Sequence, residues 1–452
     1  TDLCPLRAEG TQKKDFPHIL FVREYMRGFF MSQHKLRAAQ SDLTDKGRLQ
    51  INVTSTLGFI PVTDAKVTIT LSGQPDTVIE ELNTNISGQT VEVELPAPAL
   101  DYSLEPGDVQ PYADYDISIT APGYETVVVE GVQVLPEVES IQPVSMVPQE
   151  VETAPEEDIL IPPHTLFYDY PPKIEEDEIK PMDEDGEIVL SRVVVPETIV
   201  VHDGLPDDSS AQNYYVPYRD YIKNVASSEI YATWPEQTIY ANVLAIMSFT
   251  LNRVYTEWYR NKGYNFTITS STAYDQKWMR GRNIFSNISY LVDTIFANFL
   301  SRPGVRQPIF TSYCNGTTVT CNGLSQWGSK YLGDQGYSAI EIIRYYYGSN
   351  MYINTATSVS GVPSSWPGYN LTVGSSGDKV RQMQQQLNRI AQNYPAIPTI
   401  AADGVFGQRT AEAVRSFQRI FGLPVSGIVD YPTWYKISAV YVAVSRISEP
   451  GT

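Results

Sequence analysis

Between residues 150 and 187 the chain carries fourteen Asp or Glu against only Lys173 and Lys180, a local balance of −12 out of −19 for all 452 residues. The wider stretch 144–187, which includes "VPQEVETAPEEDILIPPHTLFYDYPPKIEEDEIKPMDEDGE", is also rich in proline and short of core-forming side chains. Too little apolar surface is available there to offset the entropy of ordering, so the segment reads as a linker. One continuous core cannot run through it, and the chain must fold as separate units on either side.

Residues 47–143 alternate apolar and polar side chains with a period of two, as in "GRLQINV" and "YDISITAPGYETVVVEGVQV", with turn residues between the runs. Several short strands at that spacing predict a β-sandwich. Residues 1–46, with "HILFVREYMRGFFMSQHKLRAAQ", read as a helical pro-segment too short to be a domain. Residues 188–355 return to a globular composition heavy in tyrosine. A Ser, Gly and Pro run, "SVSGVPSSWPG", separates them from a last unit at 367–450. There Val380, Met383, Leu387 and Ile390, then Thr410, Ala413, Val414, Phe417 and Ile420, recur at helical spacing around the loop "DGVFGQRT". The expected fold class is multidomain α+β.

Apart from the acidic segment the chain is only mildly acidic and has no clustered basic face, which argues against a nucleic-acid partner. No run of about 18 apolar residues is present, so no membrane span is expected. Of the three cysteines, Cys314 and Cys321 are close enough in sequence to pair; the sequence leaves a disulfide or two free thiols open.

One acid is out of place. In "VASSEIYATWPE", Glu229 follows Ile222 and Val225 by seven and four residues, so a helix through "YRDYIKNVASSEI" sets a carboxylate on an apolar stripe. The nearby Glu236 is explained by a T-x-x-E capping box with Thr233 ahead of a helix whose stripe is Ile239, Val243, Ile246, Thr250, Val254 and Trp258. Glu229 has no such explanation. Burial is what raises a carboxyl pKa and lets it hold a proton near neutrality, as a general acid must.

Several motifs carry family resemblances. The pattern of 47–143 resembles the transthyretin-like or carboxypeptidase-regulatory-like sandwich. The run "GDKVRQMQQQL", "DGVFGQRTAEAVRSFQ" and "GLPVSGIVDYPTW" resembles the peptidoglycan-binding domain type 1, a three-helix module; its distinctive loop nominates Phe406, Gly407, Arg409 and Thr410 as ligand-side residues. "SSEIYATWP", "TSSTAYDQ" and "GLSQWGSKYL" together resemble the stage II sporulation protein D domain, a mixed α/β lytic transglycosylase of peptidoglycan. That resemblance implies Glu229 as the catalytic residue and Gln326, Ser325, Ser270, Ser271, Thr272, Tyr274 and Asp275 as substrate-side residues. Asp275 would become the second acid if the enzyme were a hydrolase.

The order of parts resembles the spore cortex-lytic enzymes. This implies a zymogen of the spore cortex, outside the inner spore membrane, cut near Gln149 by a subtilisin-like germination protease. The implied substrate is cortex glycan containing muramic-δ-lactam. Two departures stand out. Where relatives carry arginine in the helix after the glutamate, as in "AARTY", this chain has Ile246, Met247, Ser248 and Phe249, with Arg253 about two turns on. Some such domains bind zinc, but His18, His34, His164 and His202 all lie away from Cys314 and Cys321, and two thiolates fall short of the usual four ligands. No metal or cofactor is expected, which weighs against an N-acetylmuramoyl-L-alanine amidase. A wall-binding scaffold with no activity is the alternative of another class.

Overall fold

The computed structural model describes residues 43–149, 157–180, 192–361 and 366–446. The helical reading of 1–42 and the linker residues 181–187 lie outside these. None of the described helices is long and apolar enough to cross a membrane.

Strands β1 (Asp45–Ser55), β2 (Lys66–Leu71), β3 (Val78–Asn83), β4 (Val93–Ala97), β5 (Ala113–Thr120), β6 (Val127–Val134) and β7 (Glu139–Met146) form the sandwich. In β1 the odd-numbered residues from Leu49 to Ser55 are buried while their neighbours are not, as the alternation requires. Leu49, Ile51 and Val53 meet Val67, Ile69, Ile117, Ile119 and Val129 between the two sheets. One sheet has β1 between β4 and β7; the other runs β3-β2-β5-β6.

Each sheet gains a strand from beyond residue 149. β8 (Glu157–Leu160) joins β6 in parallel, and a strand of the following domain, Ile284–Phe285, joins β7 antiparallel. The residues that composition assigns to a linker are therefore partly sheet. From Ile161 to Lys180 the chain continues as an ordered strap across the next domain.

That domain has short strands β9 (Val194–Val195), β10 (Thr198–His202), β11 (Asn213–Pro217), β12 (Ile268–Thr269), β13 (Ile284–Phe285), β14 (Asn298–Ser301), β15 (Tyr313–Cys314), β16 (Leu324–Ser325), β17 (Tyr352–Thr355) and β18 (Ser358–Val359) around five helices. These are α1 (Tyr218–Glu229), α2 (Glu236–Tyr255), α3 (Ser286–Ile295), α4 (Gln326–Asp334) and α5 (Ala339–Tyr347). α2 is buried on nearly every side, which is why its sequence is apolar around most of its circumference. Its expected capping box does not form: Pro235 is the N-cap, no side chain caps it, and the Thr233 hydroxyl is buried without a partner. α1 is clamped to α3 by Asp293, which accepts from Lys223 Nζ at 2.6 Å and Arg219 at 3.2 Å.

The last unit is three helices, α6 (Asp378–Asn393), α7 (Gln408–Ile420) and α8 (Tyr431–Arg446). Two buried glutamines organise it in the same way. Gln384 accepts from Gly404 N and donates to Asp403, Val405 O and Thr410; Gln418 accepts from Gly427 N and donates to Ser426, Ile428 O and Thr433. "DGVFGQRT" and "SGIVDYPT" are thus two copies of one turn, an internal repeat that the periodicity alone does not reveal. The unit docks through Phe296 stacked on Tyr431 and through Arg219 donating to Tyr435 O.

Candidate functional site

Glu229 is the last residue of α1 and is 3% exposed. It lies in a cleft lined also by Thr165, Tyr170, Pro171, Lys173, Thr272, Tyr313, Cys314, Asn315, Val319 and Gln326. Among the described residues no other acid lines it. Lys277 N donates to Glu229 Oε1 at 2.7 Å and Tyr313 OH to Oε2 at 2.6 Å. Burial raises the carboxyl pKa above its ordinary value; the nearby Lys173 ammonium, the Lys277 N–H and Tyr313 pull back against it without reversing the direction.

Each of these partners is itself fixed. The loop bearing Lys277 is held to α1 by Asn224, which donates to Met279 O at 2.7 Å and accepts from Met279 N at 2.9 Å. Tyr313 is oriented by Gln276, whose amide nitrogen donates to the phenol oxygen at 3.1 Å and so directs the hydroxyl proton toward Glu229. The Gln276 carbonyl is held in turn by Tyr221 and Thr250. Gln276 ends the motif "TSSTAYDQ", but its role does not follow from the sequence, because an amide in a loop carries no periodic signal.

The nominated residues divide. Gln326 lines the cleft and donates to Glu229 O at 3.1 Å, so it braces the acid through its backbone. Thr272 lines the cleft as well. Ser325 instead caps α4 by accepting from Gly328 N, and Ser270 is buried on Asp203. Ser271 and Tyr274 are half-buried and outside the lining; Tyr274 offers its carbonyl to Arg253.

Asp275 corrects the expectation most clearly. It is fully buried, and its two oxygens accept from Arg253 Nε, Tyr259 OH, Thr269 N and Thr269 Oγ1 at 2.6–2.9 Å. A carboxylate has about four acceptor positions, so none is left for water or sugar. Arg253 is a structural cation, held bidentately by Glu176 of the strap as well as by Asp275. Removing either acid would leave a buried charge short of a partner, at a cost of roughly 3–5 kcal/mol. The strap is therefore built into the domain.

Cys314 and Cys321 form a disulfide beside the cleft. With both sulfurs joined and no histidine in the lining among the described residues, the residues present do not fit a zinc ion here. The loop they close is tight: a Cβ on Gly316, at φ +81°, would lie 1.8 Å from Ser325 Oγ.

In the last unit, Phe406 (1% exposed) and Thr410 are core residues, the latter bonded to Gln384. Gly407 is the N-cap of α7, and Arg409 alone of the four is exposed.

Residues 376–437 match the family model described as putative peptidoglycan binding domain. The zinc D-Ala-D-Ala carboxypeptidase of Streptomyces albus G is 43% identical over 74 residues, 16% of this chain. The chain thus spans 27% of that relative's length. Klebsiella pneumoniae 5-hydroxyisourate hydrolase is similar over 22% of this chain and 90% of its own, at 14% identity and a TM-score of 0.16. GBS52, the minor pilin of Streptococcus agalactiae, is similar over 25% and 49%, at 12% identity and a TM-score of 0.17. The chain is a multidomain α+β body whose C-terminal three-helix unit is similar, over residues 376–437, to a putative peptidoglycan binding domain.

Proposed function

We propose that the chain is a peptidoglycan lytic transglycosylase with Glu229 as its catalytic acid and base. The carrying observation is a buried carboxylate, with its pKa raised by burial, in a cleft that no second acid lines among the described residues. A hydrolase needs a second carboxylate about 5 to 9 Å away to attack or to activate water. Asp275 is consumed by Arg253, Tyr259 and Thr269. In the proposed reaction protonated Glu229 donates to the oxygen linking muramic acid to glucosamine as that bond breaks. The resulting carboxylate then takes the proton of the muramoyl C6 hydroxyl, whose oxygen closes a 1,6-anhydro ring.

The resemblance to spore cortex-lytic enzymes extends the proposal to cortex glycan containing muramic-δ-lactam and to activation by a subtilisin-like protease near Gln149. Mass spectrometry of products released from spore cortex, with Glu229→Gln beside the unaltered protein, tests the reading. Anhydromuramic ends lost in the variant are expected. Reducing muramic ends, or freed stem peptides on intact glycan, would replace it with a hydrolase or an amidase. Wall binding with no release at all would leave a scaffold.

A further inference from the structure

The strap contributes four of the cleft's lining residues, Thr165, Tyr170, Pro171 and Lys173, although composition assigns it to a linker. It is fastened along its length. Thr165 N donates to Ser228 O, one residue before the acid, and Ile174 N to Ala273 O. Glu176 binds Arg253, Lys180 lies 3.8 Å from the Phe310 ring centroid, and Glu178 pairs with Arg302. Lys173 sits in the middle of this run. Its ammonium donates to the carbonyls of Asp275 and Thr272 and lies 4.8 and 4.9 Å from the ring centroids of Phe249 and Tyr313. Tyr313 is the residue whose hydroxyl reaches Glu229.

We infer that Lys173 is a positioning residue of this site, the fixed counter-charge that lets Glu229 stand as a carboxylate between giving up one proton and taking the next. The inference rests on Glu229 being the acid-base residue and adds what governs its charge. A carboxylate in a dry cleft reclaims a proton at the first opportunity unless a cation faces it. Here the groups facing Glu229 are Lys173 from the strap, Lys277 from the loop after β12, Tyr313 from β15 and Tyr221 from α1. Lys173 is faced in turn by Glu229, Asp275, Glu176 and Arg253. Asp275 and Glu176 already serve Arg253, whereas the Glu229 oxygens accept only from the uncharged Lys277 N–H and Tyr313 hydroxyl among the described residues, and Lys173 lines the same cleft.

The test uses the full chain with Lys173→Gln and Lys173→Met, which remove the charge, and Lys173→Arg, which keeps it. Glu229 protonation is read from its carboxyl infrared band, assigned by its loss in Glu229→Gln, across a pH series. Without the ammonium the titration midpoint should move up by about one pH unit, and the arginine variant should restore it. The alkaline limb of cortex-glycan turnover should move by the same amount. A midpoint that stays put while turnover falls would reduce Lys173 to an anchor of the strap and overturn the inference. A midpoint that moves in a protein that cleaves no glycan would uphold the coupling and sink the transglycosylase reading instead.

Discussion

Asp275→Asn separates a catalytic carboxylate from a structural one. In the folded protein Asp275 Oδ1 accepts from Arg253 Nε at 2.7 Å, while Oδ2 accepts from Tyr259 OH, Thr269 N and Thr269 Oγ1. An asparagine must turn its NH2 toward one of these two sets of donors. Either it confronts the Arg253 N–H, or it confronts the Thr269 N–H and forces the Tyr259 and Thr269 hydroxyls to turn from donors to acceptors, and in both cases an acid that balances a fully buried guanidinium loses its charge. Breaking a buried pair from one side costs roughly 3–5 kcal/mol, and Glu176 retains only part of the compensation. For a domain of this size that lowers the melting temperature by on the order of 10 °C. Calorimetry or guanidinium unfolding gives the loss, and turnover per folded molecule, measured well below the melt, gives the chemistry. The expected result is a large loss of stability with residual activity that still yields anhydro ends. A variant as stable as the parent that makes no product would refute this account and return Asp275 to the chemistry.

Asp293 gives a pH-dependent counterpart. Burial would raise its carboxyl, but Lys223, Arg219 and Lys436 overcome that and hold it at about 2, against about 4 in an unfolded chain. The folded value is the lower one, so this stability, roughly 2.5 kcal/mol, is present above pH about 4 and is lost as pH falls through 2. Asp293→Asn should therefore destabilise by roughly 1 kcal/mol more at pH 7 than near pH 3 in denaturant titrations at the two pH values; equal losses would contradict the assignment. In the peptidoglycan-binding domain, Phe406→Ala should cost roughly 3–5 kcal/mol as a core truncation, whereas Arg409→Ala should leave stability within about 0.5 kcal/mol. Melting curves check the stabilities, and cosedimentation with peptidoglycan shows whether Arg409 contributes to binding.

Patterned segments were legible because burial imposes a period. The alternation of β1 and the helical stripes of α6 and α7 both follow from one buried face. Glu229 was legible for the opposite reason, as a charge that breaks such a stripe. What stayed hidden depends on partners distant in sequence. Glu176 and Lys180 look like solvated linker charges until Arg253 and Phe310 are set beside them, and Gln276 gains its role only from Tyr313. Charge density also misled: the acids of 175–178 are ordered because basic or amide side chains at Arg253, Arg302 and Asn322 meet three of them. The peptidoglycan-binding loop misled in another way, since Phe406 is a buried core side chain and Thr410 is bonded to the Gln384 over which the turn closes.

These same long-range connections bear on what a proteolytic cut near Gln149 would do. Downstream of that point β8 still pairs with β6, and β13 still pairs with β7. Ile161 and Met279 remain inserted in the sandwich core, each a burial worth roughly 1.5–3 kcal/mol. Asn283 exchanges two hydrogen bonds with the Gln133 backbone, and Trp234 Nε1 donates to Ser103 O. None of these contacts depends on the covalent chain between residues 149 and 157. A cut there should therefore leave the sandwich bound as a separate polypeptide, co-eluting with the rest on size exclusion and parting only in denaturant. If activation consists of shedding the sandwich, substrate or a wall surface must supply the free energy to separate the two sheets from their borrowed strands. Spontaneous separation in buffer after cleavage would show that β8 and β13 hold the sandwich far more weakly than their burial and pairing imply.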